Sequence, residues 1–320
     1  MAFTERARSS SVCDHARMTD GHRCYACADS NRDRFSFDGG RRLHIPARFQ
    51  GPPASVNGGM AVGMLACPVI QAAERDGMLY TAVSRVNARL RAGVPVDRDL
   101  GVEVIADEAG GYAVSIHDGD SEVMTATADV HAFDTAATPG ATLAAIPEDR
   151  AADVAELAAL AVPDTAPWYE ETGDHPIPGC FSCGPKNVAG LHIYPRVVRD
   201  GVTCAPWTPL AEFDNGDGTL SAPVLTSAID CSSGLCMPVQ MQRDLLEQDQ
   251  FFLLGSMDVR YLRVPPAAGT YRVAAKALRR DGRKFFGLSV LAGEDGTPYA
   301  MAESTWIIAS MSRTAAFGRK

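Results

Sequence analysis

The sequence predicts an α+β fold built from two tandem copies of one unit. Three observations support this prediction. The 320 residues are enough for two domains of ordinary size, one cysteine motif occurs twice, and each occurrence is followed by a similar order of elements. We expect each unit to contain a strand, a long buried helix and an antiparallel meander, with the helix covering the apolar face of the sheet.

The repeat is clearest at two Cys-x-x-Cys segments, CYACADSNRDRFSF from Cys24 and CFSCGPKNVAGLHI from Cys180. A shift of 156 residues superimposes them without a gap. Three identities and two apolar matches result: Cys24, Cys27, Asn31, Phe35 and Phe37 fall on Cys180, Cys183, Asn187, Leu191 and Ile193.

Each cysteine motif is followed by a strand-like stretch, a loop rich in Gly, Pro and Asp, and an apolar helical run. The helical runs are apolar on nearly all sides, which is typical of buried helices. Pro68 and Pro238 should kink or break them. The strand-like stretches are 43–49 and 191–198, the loops are 50–59 and 214–223, and the helical runs are 60–77 and 224–248.

Alternating strand-like segments, separated by turn signals such as Asp281-Gly282 and Asp295-Gly296, complete each half. They are 100–106, 112–118 and 122–133 in the first half, and 256–264, 270–280, 284–292 and 299–310 in the second. The predicted organisation is therefore a tail (1–23), unit 1 (24–138), a linker with a helix (139–170), unit 2 (171–312) and a second tail (313–320).

Composition narrows the range of functions. Hydrophobic residues make up 46% and charged residues 22%, which is typical of a globular protein, and no apolar run approaches the ~18 residues needed to span a membrane. The N-terminal stretch has no apolar centre of a secretory signal, so we expect a cytoplasmic protein with mostly reduced cysteines. The net charge of −9 and the lack of a basic block argue against a nucleic-acid partner.

The pattern CxxCGxxNxxGL at Cys180–Leu191 resembles the start of the PaaI-like branch of the hotdog thioesterases. Segment 228–234, Ala-Ile-Asp-Cys-Ser-Ser-Gly, resembles the helix segment that carries the family's acid. FQGPPASVNGG (49–59) resembles the family's loop before the helix, with Asn57 in place of the His of the family's His-Gly-Gly. The resemblance implies a double hotdog, with two antiparallel sheets joined as one and each wrapped round a central helix.

The resemblance also implies an acyl-thioester hydrolase that acts on acyl-coenzyme A or on carrier-protein thioesters. Hydrolysis needs a donor for the carbonyl oxygen and a base or nucleophile at the carbonyl carbon. In the family the donor is an amide at the helix start, and the acid lies eight residues further on. Because eight helical residues rise about 12 Å, one helix cannot make both contacts, and the site must combine two antiparallel helices.

The two halves carry complementary parts of such a site. The first retains the helix start Asn57-Gly58-Gly59 but has Ala66 at the acid position. The second has Ser221-Ala222-Pro223 at the helix start and Asp230 at the acid position. We therefore expect one composite site, in which the Gly58 amide faces Asp230. We expect no carboxylate at the pseudo-symmetric place near Ala66 and Ala222.

Other polar residues are weaker candidates for the same chemistry. Ser256 could orient the attacking water, Arg260 and Arg263 could meet a coenzyme A phosphate, and Gly59 belongs to the donor motif. Gln50 occupies the loop of the active half, whereas Asn215 would lie in the inactive half. Each also has an ordinary structural interpretation, as a strand-edge, turn or surface residue.

The Cys-x-x-Cys pairs allow three interpretations: structural zinc, thiol chemistry or buried packing, of which packing is favoured. Local ligands for zinc would be Cys13, His15, His22, Cys24 and Cys27 in the first half, and His175, Cys180 and Cys183 in the second. We expect no organic cofactor and no catalytic metal. The alternative functions are a non-catalytic acyl-thioester-binding protein and a hotdog hydratase or dehydratase, and a homodimer of double hotdogs is left open.

Overall fold

The structure is a computed structural model, which describes residues 24, 36–38, 42–78, 81–108, 110–167, 170 and 175–310. The first half contains β1 (Ser36–Asp38), β2 (Arg42–His44), α1 (Gly58–Gly63), α2 (Ala66–Arg75), β3 (Thr81–Leu90), β4 (Asp99–Ala106), β5 (Tyr112–Asp118) and β6 (Ser121–Ala132). Helix α3 (Ala151–Ala158) follows. The second half contains β7 (Arg196–Arg199), β8 (Val202–Trp207), α4 (Ala222–Leu235), α5 (Val239–Glu247), β9 (Gln250–Tyr261), β10 (Tyr271–Asp281), β11 (Lys284–Gly293) and β12 (Pro298–Ser310).

All described strands form one antiparallel sheet of twelve strands, in the order β1-β2-β4-β5-β6-β3-β9-β12-β11-β10-β8-β7. Read inward from its own edge, each half has the same order, because β7-β8-β10-β11-β12-β9 repeats β1-β2-β4-β5-β6-β3. The halves meet where β3 pairs with β9, from Arg85 opposite Arg260 to Arg89 opposite Ser256. An ion pair reinforces this junction, since Arg85 donates two hydrogen bonds to Asp258 at 2.8 and 2.6 Å.

Both central helices are interrupted where the prolines predict. Pro68 lacks an N–H and cannot bond the carbonyl of Met64, so the chain turns between α1 and α2, and the Cys67 N–H bonds Met64 O at 3.2 Å instead. Pro238 separates α4 from α5 in the same way. The helices pack on the inner face of the sheet, and their apolar side chains form one core that runs through both halves.

The linker helix covers the opposite face of the second half. Val154, Leu157 and Ala158 of α3 are buried against a second apolar cluster. The sequence anticipated this helix, and α3 lies on the outside of the sheet as expected. The cluster draws its other buried members from the sheet and the segment after β9: Val202, Cys204, Leu262, Ala274, Leu288, Val290, Ala292 and Met301.

One expected equivalence between the halves is wrong. The stretch 191–198 is strand only from Arg196, because the Leu191 and Ile193 N–H groups bond the carbonyls of Phe181 and Ser182 in the cysteine loop. The counterpart of β2 is β8, and both lead into a single 3-10 turn, at Ala47–Phe49 and Ala211–Phe213. The spacing of those turns is 164 residues, against 156 at the cysteine motif, so the second half is longer between the two.

Three strands were not anticipated: β1, β8 and the junction strand β3. The predicted strand 256–264 begins six residues too late, since β9 starts at Gln250. Both predicted tails (1–23 and 313–320) lie outside the described residues, and so do Cys27, Asn31, Phe35 and the last two residues of unit 2; Cys13, His15 and His22 belong to the first tail. Within the described part of the chain, no helix is long and apolar enough to cross a membrane.

Candidate active site

Helices α1 and α4 cross in close contact through two glycines. A methyl group built on Gly59 would lie 2.4 Å from Thr226 O, and one built on Gly63 would lie 2.6 Å from the Cα of Pro223. The later glycine of α1, Gly63, thus meets the earlier residue of α4, Pro223. The two helices therefore run antiparallel, as the sequence predicted. The start of α1 consequently lies beside Asp230, which is nine residues into α4.

Asn57 joins the two helices through its side-chain amide. Its Oδ1 caps α1 by accepting a hydrogen bond from the Met60 N–H at 3.0 Å, which is the usual role of Asn before a helix. Its Nδ2 donates to Asp230 Oδ2 at 2.9 Å. The residue in place of the expected His thus holds the carboxylate of the other half in a fixed orientation.

Asp230 is 2% exposed, and the rest of its environment leaves one oxygen available. Oδ1 accepts no hydrogen bond from any described residue, and a methyl group built on Gly58 would lie 3.4 Å from it. Burial raises the pKa of Asp230 to about 7. The Gly59 N–H and the Asn57 amide both face the carboxylate and oppose this rise. A buried carboxylate with an unused oxygen is typical of functional sites.

A cavity of about 340 Å³ opens at this contact, a size in the range of small-molecule sites. Asn57, Gly58 and Asp230 form its polar end. Apolar side chains form most of the remaining wall: Val56, Leu90, Val94, Leu235, Phe251, Phe252, Leu253, Leu254, Trp306 and Ile307. The Gly58 N–H, the first of α1, has no partner among the described residues, so it is available to a ligand oxygen.

Three thiols lie at the same wall. The Sγ atoms of Cys180, Cys183 and Cys231 are all within 4.8 Å of one another, and Asn57 Nδ2 is 3.6 Å from Cys180 Sγ and 3.7 Å from Cys231 Sγ. Hydrogen bonds from the other two thiols lower the pKa of Cys180 well below its usual value, whereas donation to Cys180 raises the pKa of Cys183 and of Cys231. Donation to Cys180 thus favours the protonated form of the Cys231 thiol, which does not favour Cys231 as a nucleophile.

A second cavity of about 270 Å³ occupies the pseudo-symmetric place, lined by Ala66 and by Ser221, Ala222 and Pro223 at the start of α4. Ala66 stands where the acid would be, but the expectation of a cavity without carboxylates is wrong, because Glu74 and Asp217 also line it. Neither occupies the acid position, and Asp217 Oδ1 accepts hydrogen bonds from Thr219. Pro223 stands in place of Gly59 and lacks the N–H that Gly59 directs at Asp230 in the first cavity.

The weaker candidates do not line the first cavity. Ser256 and Arg260 alternate along β9 with buried Met257 and Val259, so they lie on the outer face of the sheet, away from α1 and α4. Arg263 Nη1 contacts Gly140 O and Thr142 Oγ1 of the linker. The predictions for Ser256 and Arg260 are corrected by the alternation of strand side chains between two faces, and that for Arg263 by its contacts with the linker.

The two loop candidates also lie apart from Asp230. Gln50 bonds the Phe181 N–H through its carbonyl, and its side chain lies against Gly179, where an added methyl group would meet Nε2 at 2.8 Å. Asn215 is buried in the second cavity, as its place in the inactive half suggested, and donates to Thr219 Oγ1 at 3.2 Å.

Two residues of the first cavity were not expected there, His175, which sequence reasoning considered only as a zinc ligand, and Arg91. His175 lines it; burial lowers the pKa of this ring, and Nδ1 accepts a hydrogen bond from the Ile177 N–H at 3.0 Å. Arg91 is the single Lys or Arg among the described residues that line the cavity, and it pairs with Glu122 at 2.6 Å. Arg91 directly follows β3, so recognising that strand would have brought it into consideration.

No protein-family model and no curated protein matches the sequence. Solved structures do match. The chain has a hotdog fold. A hotdog-fold protein from Alicyclobacillus acidocaldarius aligns over 87% of this chain and 96% of its own, with a TM-score of 0.54 and 16% identity. The tesB protein of Mycobacterium avium subs paratuberculosis aligns over 86% and 96%, with a TM-score of 0.54 and 12% identity. The acyl-CoA thioesterase II TesB2 of Mycobacterium marinum aligns over 80% and 90%, with a TM-score of 0.50 and 10% identity.

Proposed function

We propose that this chain is a tandem double hotdog that hydrolyses acyl thioesters at one composite site. The observation that carries the proposal is the meeting of Asp230 from α4 with Asn57 and Gly58 at the start of α1. The matching strand order of the halves supports the tandem arrangement, with unit boundaries at 24–138 and 171–312. The PaaI-like character rests on the CxxCGxxNxxGL motif and on the segments 228–234 and 49–59, which resemble the family's helix and loop.

The roles follow from which atoms are already engaged. Asp230 Oδ2 accepts from Asn57, so Oδ1 is the atom that takes a proton from water or attacks the thioester carbon. The Gly58 N–H lies at the positive end of α1 and stabilises the charge that develops on the carbonyl oxygen. Asn57 is a positioning residue, because it orients the carboxylate.

The substrate class follows from the cavity walls. The aromatic and aliphatic side chains beyond Asp230 suit an acyl chain, and Arg91 beside them suits a phosphate of coenzyme A or of a carrier's prosthetic group. Names of two structural neighbours point to the same chemistry: one is called an acyl-CoA thioesterase II, the other a tesB protein. We infer that acyl-coenzyme A is the first substrate to test.

The test is thiol release from a panel of acyl-coenzyme A substrates by the wild type, by Asp230→Asn and by Asp258→Asn. Asp230→Asn keeps the shape and removes the base, so turnover should fall by about 10²-fold or more with nearly unchanged affinity. Asp258→Asn is the matched control, because it removes a carboxylate from the outer face of β9. Its turnover should equal that of the wild type.

Three outcomes separate the alternatives. Asp230→Asn with wild-type turnover would exclude this mechanism. Tight binding of acyl-coenzyme A by the wild type without thiol release would favour a non-catalytic binding protein. Hydration of a 2-enoyl thioester without hydrolysis would favour a hydratase, for which the nearby His175 would become the first residue to replace.

A further inference from the structure

The three-cysteine cluster of Cys180, Cys183 and Cys231 is not needed for the proposed hydrolysis, which uses a carboxylate and backbone amides. We propose that this cluster binds one Zn²⁺ ion, which fastens the loop after His175 to helix α4. The cluster lies in the wall of the proposed active site, but zinc content and thiol release are measured separately, so either proposal can fail without the other.

The positions of the sulfurs fit a tetrahedral zinc site. Zn–S bonds of about 2.3 Å place the sulfurs of such a site about 3.8 Å apart. The Cys180 and Cys231 sulfurs are 3.6 Å apart, and Cys183 Sγ lies within 4.8 Å of both. A small inward rotation of Cys183 completes three corners of a tetrahedron. An iron–sulfur cluster needs its cysteine sulfurs further apart, and soft thiolates disfavour magnesium or calcium.

The loop that carries two of the ligands is arranged round the first sulfur. The N–H groups of Ser182 and Cys183 approach Cys180 Sγ, and the Gly184 N–H bonds Cys180 O at 2.9 Å. The turn is so tight that a methyl group built on Gly184 would lie 2.3 Å from Cys180 N. Backbone N–H groups that point at a thiolate stabilise its charge and orient it toward a metal.

A neighbouring side chain supports the same site. Asn57 Nδ2 lies 3.6 and 3.7 Å from the sulfurs of Cys180 and Cys231, so its amide hydrogens face two ligand atoms as well as Asp230. His175 holds the start of the loop through the Ile177 N–H, which engages Nδ1. Because all three cysteines line the cavity, the fourth zinc position is open to water.

The repeat shows that these cysteines occur independently of the acid. In the first half, Cys24 and Cys67 hold the corresponding places, and their sulfurs are 3.7 Å apart. Cys67 follows Ala66 as Cys231 follows Asp230. The cysteine pair is therefore present in both halves although the acid is present in only one, so its role is separate from the acid's. Cys27, which aligns with Cys183 in sequence, lies outside the described residues.

The test compares the metal content of the wild-type chain with that of two variants, purified without chelators and measured by elemental mass spectrometry. Cys183→Ala should contain about one zinc fewer per chain than the wild type. Cys204→Ala is the matched control, because Cys204 is equally buried but lies in β8 against the linker-helix cluster. It should keep the wild-type zinc content.

Cobalt exchange into the wild-type chain gives an answer that does not depend on the folding of a variant. Three thiolates around Co²⁺ should give intense sulfur-to-metal charge-transfer absorption in the near ultraviolet, together with the visible bands of a tetrahedral ion. Those bands should be weaker in Cys183→Ala and unchanged in Cys204→Ala. A wild-type chain that holds neither zinc nor cobalt while its thiols are reduced would overturn the proposal. A disulfide between any two of the three cysteines, found by mapping thiols under denaturing conditions, would also overturn it.

Discussion

The crossing of α1 and α4 allows a sharp test of the packing, through Gly59→Ala. The added methyl group would meet Thr226 O at 2.4 Å and Asp230 Cβ at 2.6 Å. Backbone oxygen cannot rotate aside as a flexible side chain can. The two helices must therefore separate by at least about 0.6 Å to restore a 3.0 Å contact, the shortest that Cβ atoms normally show.

The expected size of the effect is a difference between two opposing contributions. Alanine favours a helix by up to about 1 kcal/mol over glycine. Overpacking of a closely packed interior costs about 1–3 kcal/mol and more when backbone must move, so the net change should be a loss. A loss of about 1–3 kcal/mol corresponds to a fall in Tm of roughly 2–10 °C for a chain of this size.

Thermal unfolding followed by circular dichroism measures this directly, with Gly101→Ala as the matched control. Gly101 lies in β4, where the nearest atom to an added methyl group is His117 Cβ at 3.5 Å, an ordinary contact. Its Tm should stay within a degree or two of the wild type, by the small scale of unstrained surface changes, about 0.5 kcal/mol. Equal Tm values for Gly59→Ala and Gly101→Ala would refute the close crossing of α1 and α4.

Two further outcomes concern the composite site. Asn57→Ser keeps a capping hydroxyl for α1 but removes the donor to Asp230 Oδ2. The free energy of unfolding should change by less than about 1 kcal/mol, while turnover of the best acyl thioester should fall about tenfold. An unchanged turnover would show that Asn57 has no role in the site. Ala66→Asp in the Asp230→Asn background should not restore turnover, because the new carboxylate would lack both groups that engage Asp230: Ser221 stands in place of Asn57, and Pro223, in place of Gly59, has no N–H. Measurable recovery would show that the second cavity can be activated.

The parts of the fold with a strong local signal could be predicted from the sequence. Buried helices, their proline breaks and the turns with Asp-Gly were recognisable because proline and glycine restrict the backbone in known ways. Strand β3 was missed because a register shift at Ser84 interrupts its alternation, so that only the second half, from Arg85 to Leu90, alternates polar and apolar residues. Its role at the junction depends on pairing with β9, which is a tertiary contact.

The candidate site was also predictable only where the sequence carries a local signal. Asp230 was identifiable because a carboxylate in an apolar helix is costly unless it is paired or functional, and its partner followed from the length of a helix. His175, Arg91 and Cys231 come together only in three dimensions, from segments that no sequence pattern connects. Ser256 was misplaced because a single-residue register change turns a side chain to the other face of a sheet.

Because both halves lie in one chain, substitutions can alter the two cavities of this protein separately. Between two identical subunits, every substitution alters both symmetry-related sites at once, so neither can be modified alone. Here position 66 and position 230 are encoded separately, and a change near Ala66 leaves the cavity at Asp230 untouched except through packing. The cavity of about 270 Å³ beside Ala66 is therefore free to acquire a different ligand while the other half of the molecule keeps its own.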